Sequence, residues 1–159
     1  MPYPFGTGDA YPPNDPVQTA RADAILTAAY DAAPTEMRCT GFKFVTLYIW
    51  YTRGAGNGAV SLRLEVSPFS AGRVTEAALT DVWVQSGLYE SDAVTPGVDA
   101  HSELQREDIT YEATAAAREG VPYGPIQLAG GAARLRVPCA ETGVPGTPGT
   151  CHVVAVFST

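Results

Sequence analysis

Few side chains in this sequence could perform chemistry: two histidines, three cysteines and 17 acidic residues. A nucleophilic hydrolase needs a Ser or Cys beside a His and a carboxylate, and only His101 and His152 could act as the base. No Gly-x-Ser-x-Gly motif is present. Structural zinc needs spacings such as Cys-x-x-Cys, whereas Cys151 and His152 are adjacent and would point to opposite faces of a strand. We predict no catalytic residue, no metal site and no cofactor.

Glycoside hydrolysis stays open as a third possibility, because the separation of two carboxylates is spatial and cannot be read from sequence. The Gly-rich stretch 54–58 lacks a following Lys and opens no helix, so it does not resemble a phosphate-binding loop.

Cys139 and Cys151 bracket a Gly- and Pro-rich segment, 140–150, which we predict to be a loop. If strand 133–137 pairs with strand 152–157, the two cysteines face each other at nearly disulfide distance. A reducing compartment of synthesis favours two buried thiols instead, so the sequence leaves both states open. Cys39 is predicted to be a small core residue.

Composition places the chain among globular proteins of one domain. Its 159 residues are 45% hydrophobic and 17% charged, and the latter value is below the usual ~25%. A net charge of −7 with only 10 basic residues disfavours nucleic acid and anionic membranes as partners. The longest apolar run, 45–51, is far short of the ~20 residues of a membrane span. The N-terminal residues show no signal-peptide pattern, so we expect cytoplasmic synthesis.

The hydrophobic period is close to two residues along most of the chain, which indicates strands. In 60–66, Val60, Leu62, Leu64 and Val66 alternate with polar residues. Residues 42–51 are apolar at both parities, and we predict that they form a long hairpin with 60–66. A helix is a candidate only at 114–119, where a loop competes equally. The remaining predicted strands are 22–30, 81–85, 108–113, 126–128, 133–137 and 152–157.

Short strands at irregular spacing, separated by Gly and Pro, predict an all-β fold: an antiparallel two-sheet β-sandwich resembling a jelly roll, over residues 19–159. Residues 1–18 are predicted to be an extended N-terminal arm, since 1–16 contain five prolines. The aromatic residues of the arm, Tyr3, Phe5 and Tyr11, are candidates for docking on a neighbouring subunit, although an ordinary frayed terminus is an alternative.

The long strand presents two apolar sets. Phe44, Tyr48 and Trp50 are at even-numbered positions and should point to one side of the strand. The odd-numbered positions, which should point to the other side, hold a second set: Val45, Leu47, Ile49 and Tyr51. One set is expected to fill the core. The set of Phe44, Tyr48 and Trp50 is the candidate subunit contact.

Three parts of the chain resemble small virion proteins of bacteriophages with GC-rich genomes: VTLYIWYTRGAGNGAVSLRLEVSP (Val45 to Pro68), Trp83, and GGAARLRVPCAETGVPGTPGTCHVVAVF (Gly130 to Phe157). The resemblance is one of pattern and covers about two thirds of the chain. It implies a structural role at a capsid-decorating, neck or tail position, and localisation in the virion.

We therefore expect a non-enzymatic assembly protein that binds other virion proteins and copies of itself. The alternative is a carbohydrate-binding jelly roll, in which Trp50, Trp83 and Tyr89 would stack on sugar rings.

Overall fold

The computed structural model describes residues 15–68, 83–86, 89–90, 105–106, 108–113, 118–128 and 132–159. Within these ranges the chain is all-β and contains no helix. Every strand pairing described is antiparallel. The strands are β1 (Val17–Ile25), β2 (Met37–Arg38), β3 (Phe44–Thr52), β4 (Gly56–Leu62), β5 (Leu64–Ser67), β6 (Val84–Ser86), β7 (Tyr89–Glu90), β8 (Gln105–Arg106), β9 (Ile109–Glu112), β10 (Glu119–Gln127), β11 (Arg134–Arg136), β12 (Cys139–Pro145) and β13 (Thr150–Ser158).

Four sheets result. Sheet A has the strand order β1-β13-β3-β10, sheet B the order β2-β11-β5-β6, and sheet C the order β12-β4-β9; β7 and β8 form a separate ribbon. In sheet A the two central strands, β3 and β13, pair over their whole length, from Phe44 opposite Ser158 to Thr52 opposite Thr150. Their β-branched and aromatic residues are typical of central strands.

One hydrophobic cluster unites the sheets. Residues of β3 and β13 in sheet A pack with residues of β5 and β11 in sheet B and of β4 in sheet C. A buried hydrogen bond also crosses between sheets, from the Tyr51 hydroxyl on β3 to Glu141 Oε1 on β12, at 2.9 Å. Sheets A, B and C therefore share one hydrophobic core.

The predicted hairpin between 42–51 and 60–66 is wrong. β3 belongs to sheet A and β4 to sheet C, so the Gly-rich connection carries the chain from one sheet to another. Gly54 lies in this connection against the backbone carbonyl of Thr147, where a Cβ would collide with that oxygen. Gly54, one of the glycines that suggested a hairpin turn, thus permits a close backbone approach.

The predicted strand 60–66 is divided at Arg63, whose backbone N–H donates to the Pro138 carbonyl at 3.0 Å. β4 ends before Arg63 and β5 begins after it, in different sheets. The four apolar residues of the alternation are buried, as predicted. Ser61 is buried too, contrary to the prediction, because its hydroxyl meets the Tyr30 hydroxyl at 2.8 Å.

The predicted loop 140–150 is also wrong over its first half, which is strand β12. β12 lies at the edge of sheet C and pairs with β4 alone, and an edge strand tolerates the proline at 145. Gly143 adopts a φ of 92°, a left-handed conformation that glycine accepts without strain.

The pairing assumed between 133–137 and 152–157 does not occur. β11 pairs with β2 and β5, whereas β13 pairs with β1 and β3.

β1 starts at Val17, so residues 17 and 18 of the predicted arm belong to a strand, and the predicted strand 22–30 ends at Ile25. Residues 1–14, with Tyr3, Phe5 and Tyr11, lie outside the described residues, as does most of the helix candidate; its last residue, Glu119, begins β10.

Candidate functional site

The alternation of β3 separates its two apolar sets. Val45, Leu47 and Tyr51 are completely buried, and Ile49 is 1% exposed. The residues of the other parity face away from the core: Phe44, Thr46 and Trp50 are half-buried, and Tyr48 is 39% exposed. Sheet A therefore has a filled inner face and an outward face that bears aromatic side chains.

β13 repeats this division beside β3. Cys151, Val153 and Ala155 are fully buried, whereas His152 and Val154 are half-buried and lie opposite Trp50 and Tyr48. Directly opposed residues of paired strands project to the same side of a sheet. We call this side the outer face; its members on the two central strands are Phe44, Thr46, Tyr48, Trp50, Thr52, Thr150, His152, Val154, Val156 and Ser158.

The edge strand β1 extends the outer face. Val17 lies opposite Val156, and Ile25 lies opposite Thr150. Val17 is 53% exposed and Ile25 is 67% exposed. Together with Tyr48, these are the large hydrophobic side chains that are exposed in the described part of the chain. All three lie at outward positions of one sheet.

Three rings form a row on the outer face. The Tyr48 and Trp50 rings stack at a centroid distance of 6.3 Å, and Trp50 and His152 are tilted by 35° at 5.5 Å. The Trp50 indole lies over Gly120 of β10, where a Cβ would stand 2.7 Å from the indole nitrogen. Glycine at 120 thus leaves room for the indole to lie flat along the sheet.

The outer face is almost free of charge. The members on β3 and β13 include no Asp, Glu, Lys or Arg. His152 Nδ1 is buried and has no hydrogen-bond partner among the described residues. An ion pair of 2.8 Å between Arg118, just before β10, and Asp23 of β1 joins the two edge strands of the sheet. Its side chains are 44% and 46% exposed.

The structure brings the predicted contact residues Phe44, Tyr48 and Trp50 to one face, as their parity required. Sequence reasoning missed the partners from the neighbouring strands: Val17, Ile25, His152, Val154 and Val156. A signal was present, because 152–157 are mostly apolar at both parities, like 42–51. The register that joins the two strands could not be read from the sequence.

Trp83 is in a different environment. The guanidinium carbons of Arg136 and Arg134 lie 4.1 Å and 4.9 Å from the centroid of its ring. These arginines also pair with Glu65 and Glu36, each at 2.6 Å. The Trp83 ring is therefore engaged by cations of its own chain. The side chain of Tyr89 lies outside the described residues.

The cysteines are all buried, and none forms a disulfide. Cys139 lies on sheet C, where its thiol donates to the Val137 carbonyl at 3.4 Å, and Cys151 lies on sheet A. Interaction with the Cys151 thiol, followed by burial, raises the pKa of Cys139. Cys39 is a core residue, as predicted, and burial raises the pKa of its thiol to about 12.

Two polar clusters serve structure. The buried Glu141 carboxylate accepts hydrogen bonds from the Tyr51 hydroxyl and, at 2.9 Å and 3.1 Å, from the backbone N–H of Gly149. Elsewhere, the Tyr30 hydroxyl donates to Asp108, which also binds Arg63 Nε at 3.0 Å. Burial, followed by the Asp108 hydrogen bond, raises the pKa of Tyr30. Each cluster satisfies its own polar groups.

Among the described residues, no group of three or more His, Cys, Asp or Glu side chains is arranged to hold a metal ion. The described ranges likewise contain no helix that is long and apolar enough to span a bilayer. No known protein family, curated protein or solved structure matches this chain.

Proposed function

We propose that this chain is a non-enzymatic assembly protein that binds copies of itself through the outer face of sheet A. The observation that supports this proposal is the placement of Val17, Ile25 and Tyr48. Single exposed hydrophobic residues are normal on a protein surface, but a contiguous apolar face marks an interaction site. Here the exposed large hydrophobic residues of the described chain lie on one face of sheet A. The same face carries the stacked rings of Tyr48 and Trp50, and its residues on β3 and β13 include no charged side chain.

We further propose that sheet A forms one layer of a jelly-roll-like β-sandwich and that sheets B and C form the other. The inward residues of β3 and β13 share a single buried cluster with residues of sheets B and C, which supports two facing layers. β1 begins at Val17, at a corner of the outer face, and most of the predicted arm precedes this residue in the sequence. The aromatic residues Tyr3, Phe5 and Tyr11 add to the contact between copies in this proposal.

As the biological setting we propose a bacteriophage virion, at a capsid-decorating, neck or tail position, in contact with other virion proteins. The support is the sequence pattern together with a surface suited to burial. A symmetric assembly would cover both the outer face and the open edges of the sheets. If the proposal holds, the genes on either side of its coding sequence encode other virion proteins; neighbours that all encode enzymes of one metabolic route would contradict it.

Sedimentation velocity over a range of concentrations tests self-association. Tyr48→Lys places a charge at the centre of the outer face and should shift the protein to monomer. Thr110→Lys, at a position that is also exposed, on β9 in sheet C, is the matched control and should leave assembly unchanged. A native protein that is monomeric at every concentration, or equal behaviour of the two variants, would refute the proposal.

Carbohydrate binding is the alternative function, and the structure gives it less support. The Trp83 ring that would stack on a sugar already contacts two guanidinium groups. A glycan-array screen tests this alternative: a glycan signal that disappears in Trp83→Ala would favour a lectin over an assembly protein.

A further inference from the structure

His152 brings a titratable side chain to a face that is otherwise suited to burial. It ends the row of rings, with its imidazole 5.5 Å from the Trp50 ring, and it lies opposite Trp50 in the register of β13 and β3. The other members of the outer face on these two strands are of types that do not change charge between about pH 5 and 8. A protonated His152 would therefore carry the single formal charge among these members.

The imidazole has no acceptor in place for an added proton. Its Nδ1 is buried and forms no hydrogen bond with any described residue. A protonated imidazole has an N–H on both nitrogens, so the charged ring would hold a buried donor without an acceptor. The ring as a whole is only half-buried in the isolated chain, and water therefore still reaches part of it.

The charged residues at this end of sheet A are engaged with each other. The β-bulge of β1 that lies beside His152 contains Asp23, whose carboxylate pairs with Arg118 at 2.8 Å. On the other side of His152 the neighbours across the sheet are uncharged, first Trp50 on β3 and then Gly120 on β10. Asp23 is thus already neutralised by a cation, and no described carboxylate pairs with the imidazole.

We propose that protonation of His152 controls self-association through the outer face: chains with a neutral His152 associate, and proton uptake by His152 separates them. This inference rests on the proposed function. A second copy that covers the outer face removes the half-buried ring from water. It also presents the same uncharged strands β3 and β13, which supply no carboxylate to an imidazolium. A charged ring enclosed in this contact would be without water or counter-ion, which is unfavourable.

The direction of the pH dependence follows from linkage. The separated chain leaves the ring of His152 open to water and takes up the proton more readily than the associated chain. Association is therefore strongest where histidine is neutral, and it weakens as the pH falls through the usual titration range of histidine, around pH 6.5.

The chain contains two histidines, His101 and His152, and their variants give a matched comparison. Sedimentation velocity over a range of concentrations, at about pH 7.5 and about pH 5.5, yields the dissociation constant of the native protein, His152→Phe and His101→Gln. Phenylalanine keeps an aromatic ring beside Trp50 but cannot take up a proton. His101 lies outside the described residues, and its variant is the control. His152→Gln repeats the test with a polar side chain.

The dissociation constant of the native protein should be at least about tenfold larger at the lower pH. His101→Gln should keep this ratio, whereas both variants of His152 should reduce it to about threefold or less. Near-UV circular dichroism should show the native fold at both pH values, which distinguishes separation of the chains from unfolding.

A native protein that associates equally at both pH values would overturn the role of His152 and leave self-association intact. A native protein that is monomeric at both would instead remove the proposed function, and this inference with it. A ratio that persists in both His152 variants, or that disappears in His101→Gln, would place the titrating group elsewhere. Loss of the native circular dichroism at the lower pH would also contradict the proposal, because unfolding would then separate the chains.

Discussion

Tyr51 and Glu141 join sheet A to sheet C by a hydrogen bond of 2.9 Å inside the core, between a completely buried phenol and a carboxylate in a residue only 5% exposed. The same carboxylate holds Gly149, at the end of the segment that leads into β13. The bond between Glu141 and Gly149 therefore fixes the first residues of β13, which include Thr150 and His152 of the outer face.

Removing this carboxylate should destabilise the fold. Glu141→Leu leaves the Tyr51 hydroxyl and the Gly149 N–H unsatisfied, and each buried unsatisfied group costs about 1–3 kcal/mol. Tyr51→Phe removes only one donor and should cost less, about 1 kcal/mol. Urea unfolding measures both variants. Equal losses of stability in the two variants, or a Glu141→Leu protein as stable as the native one, would show that Glu141 does not stabilise the contact between sheets A and C.

Arg21→Met should be far more damaging than Arg118→Met, although each substitution breaks one ion pair. The Arg21 side chain is 10% exposed and also donates to backbone carbonyls, so its loss leaves buried acceptors without donors and should cost about 3 kcal/mol. The exposed pair of Arg118 and Asp23 should contribute less than about 1 kcal/mol. Thermal unfolding compares the two variants directly; losses of similar size would contradict this account.

The buried thiol of Cys39 should make the folded protein less stable at alkaline pH. Burial raises its pKa from 9.0 to about 12 in the folded protein. Above about pH 9 the unfolded chain loses this proton while the folded chain keeps it, so the free energy of unfolding falls as the pH rises towards 12. The slope from this thiol reaches at most about 1.4 kcal/mol per pH unit.

The Cys39→Ala variant removes this contribution while leaving the other groups that titrate at high pH. Urea unfolding at about pH 8, 9 and 10 should show a smaller loss of stability in the variant than in the native protein. Parallel curves for the two proteins would mean that Cys39 ionises as readily in the folded state as in the unfolded state.

Gly120→Ala should displace Trp50 from the outer face at little cost in stability. The new Cβ would stand 2.7 Å from the indole nitrogen, and a side chain at the surface can rotate away. In a Trp83→Phe background, Trp50 is the remaining tryptophan. Its fluorescence should become more sensitive to acrylamide, and self-association should weaken. Unchanged quenching would show that the indole does not depend on the space above Gly120.

The sequence predicts the outer face in part because β3 is apolar at both parities, and this pattern correctly separates Val45, Leu47 and Ile49 from Tyr48 and Trp50. The pattern does not predict which strands pair with β3. The register that places His152 beside Trp50 and Val17 beside Val156 depends on contacts between residues far apart in the chain. Local patterns do not encode such pairings.

Two of the failed predictions have a common physical origin in glycine and proline. These residues suggested a hairpin at 54–58 and a loop at 140–150. In the structure Gly54 permits a close approach to Thr147, and Gly143 and Pro145 lie in an edge strand. Turn-forming residues thus mark special backbone positions without specifying whether the chain reverses, crosses between sheets or continues as a strand.

The most direct measurement of the central claim is hydroxyl-radical footprinting of the protein at concentrations below and above the onset of self-association. Tyr48 and Trp50 should become protected in the assembled state, while Tyr111, half-buried on β9 of sheet C, should keep its reactivity. An assembly in which Tyr48 and Trp50 remain as reactive as in the monomer would place the contact elsewhere and contradict the role of the outer face.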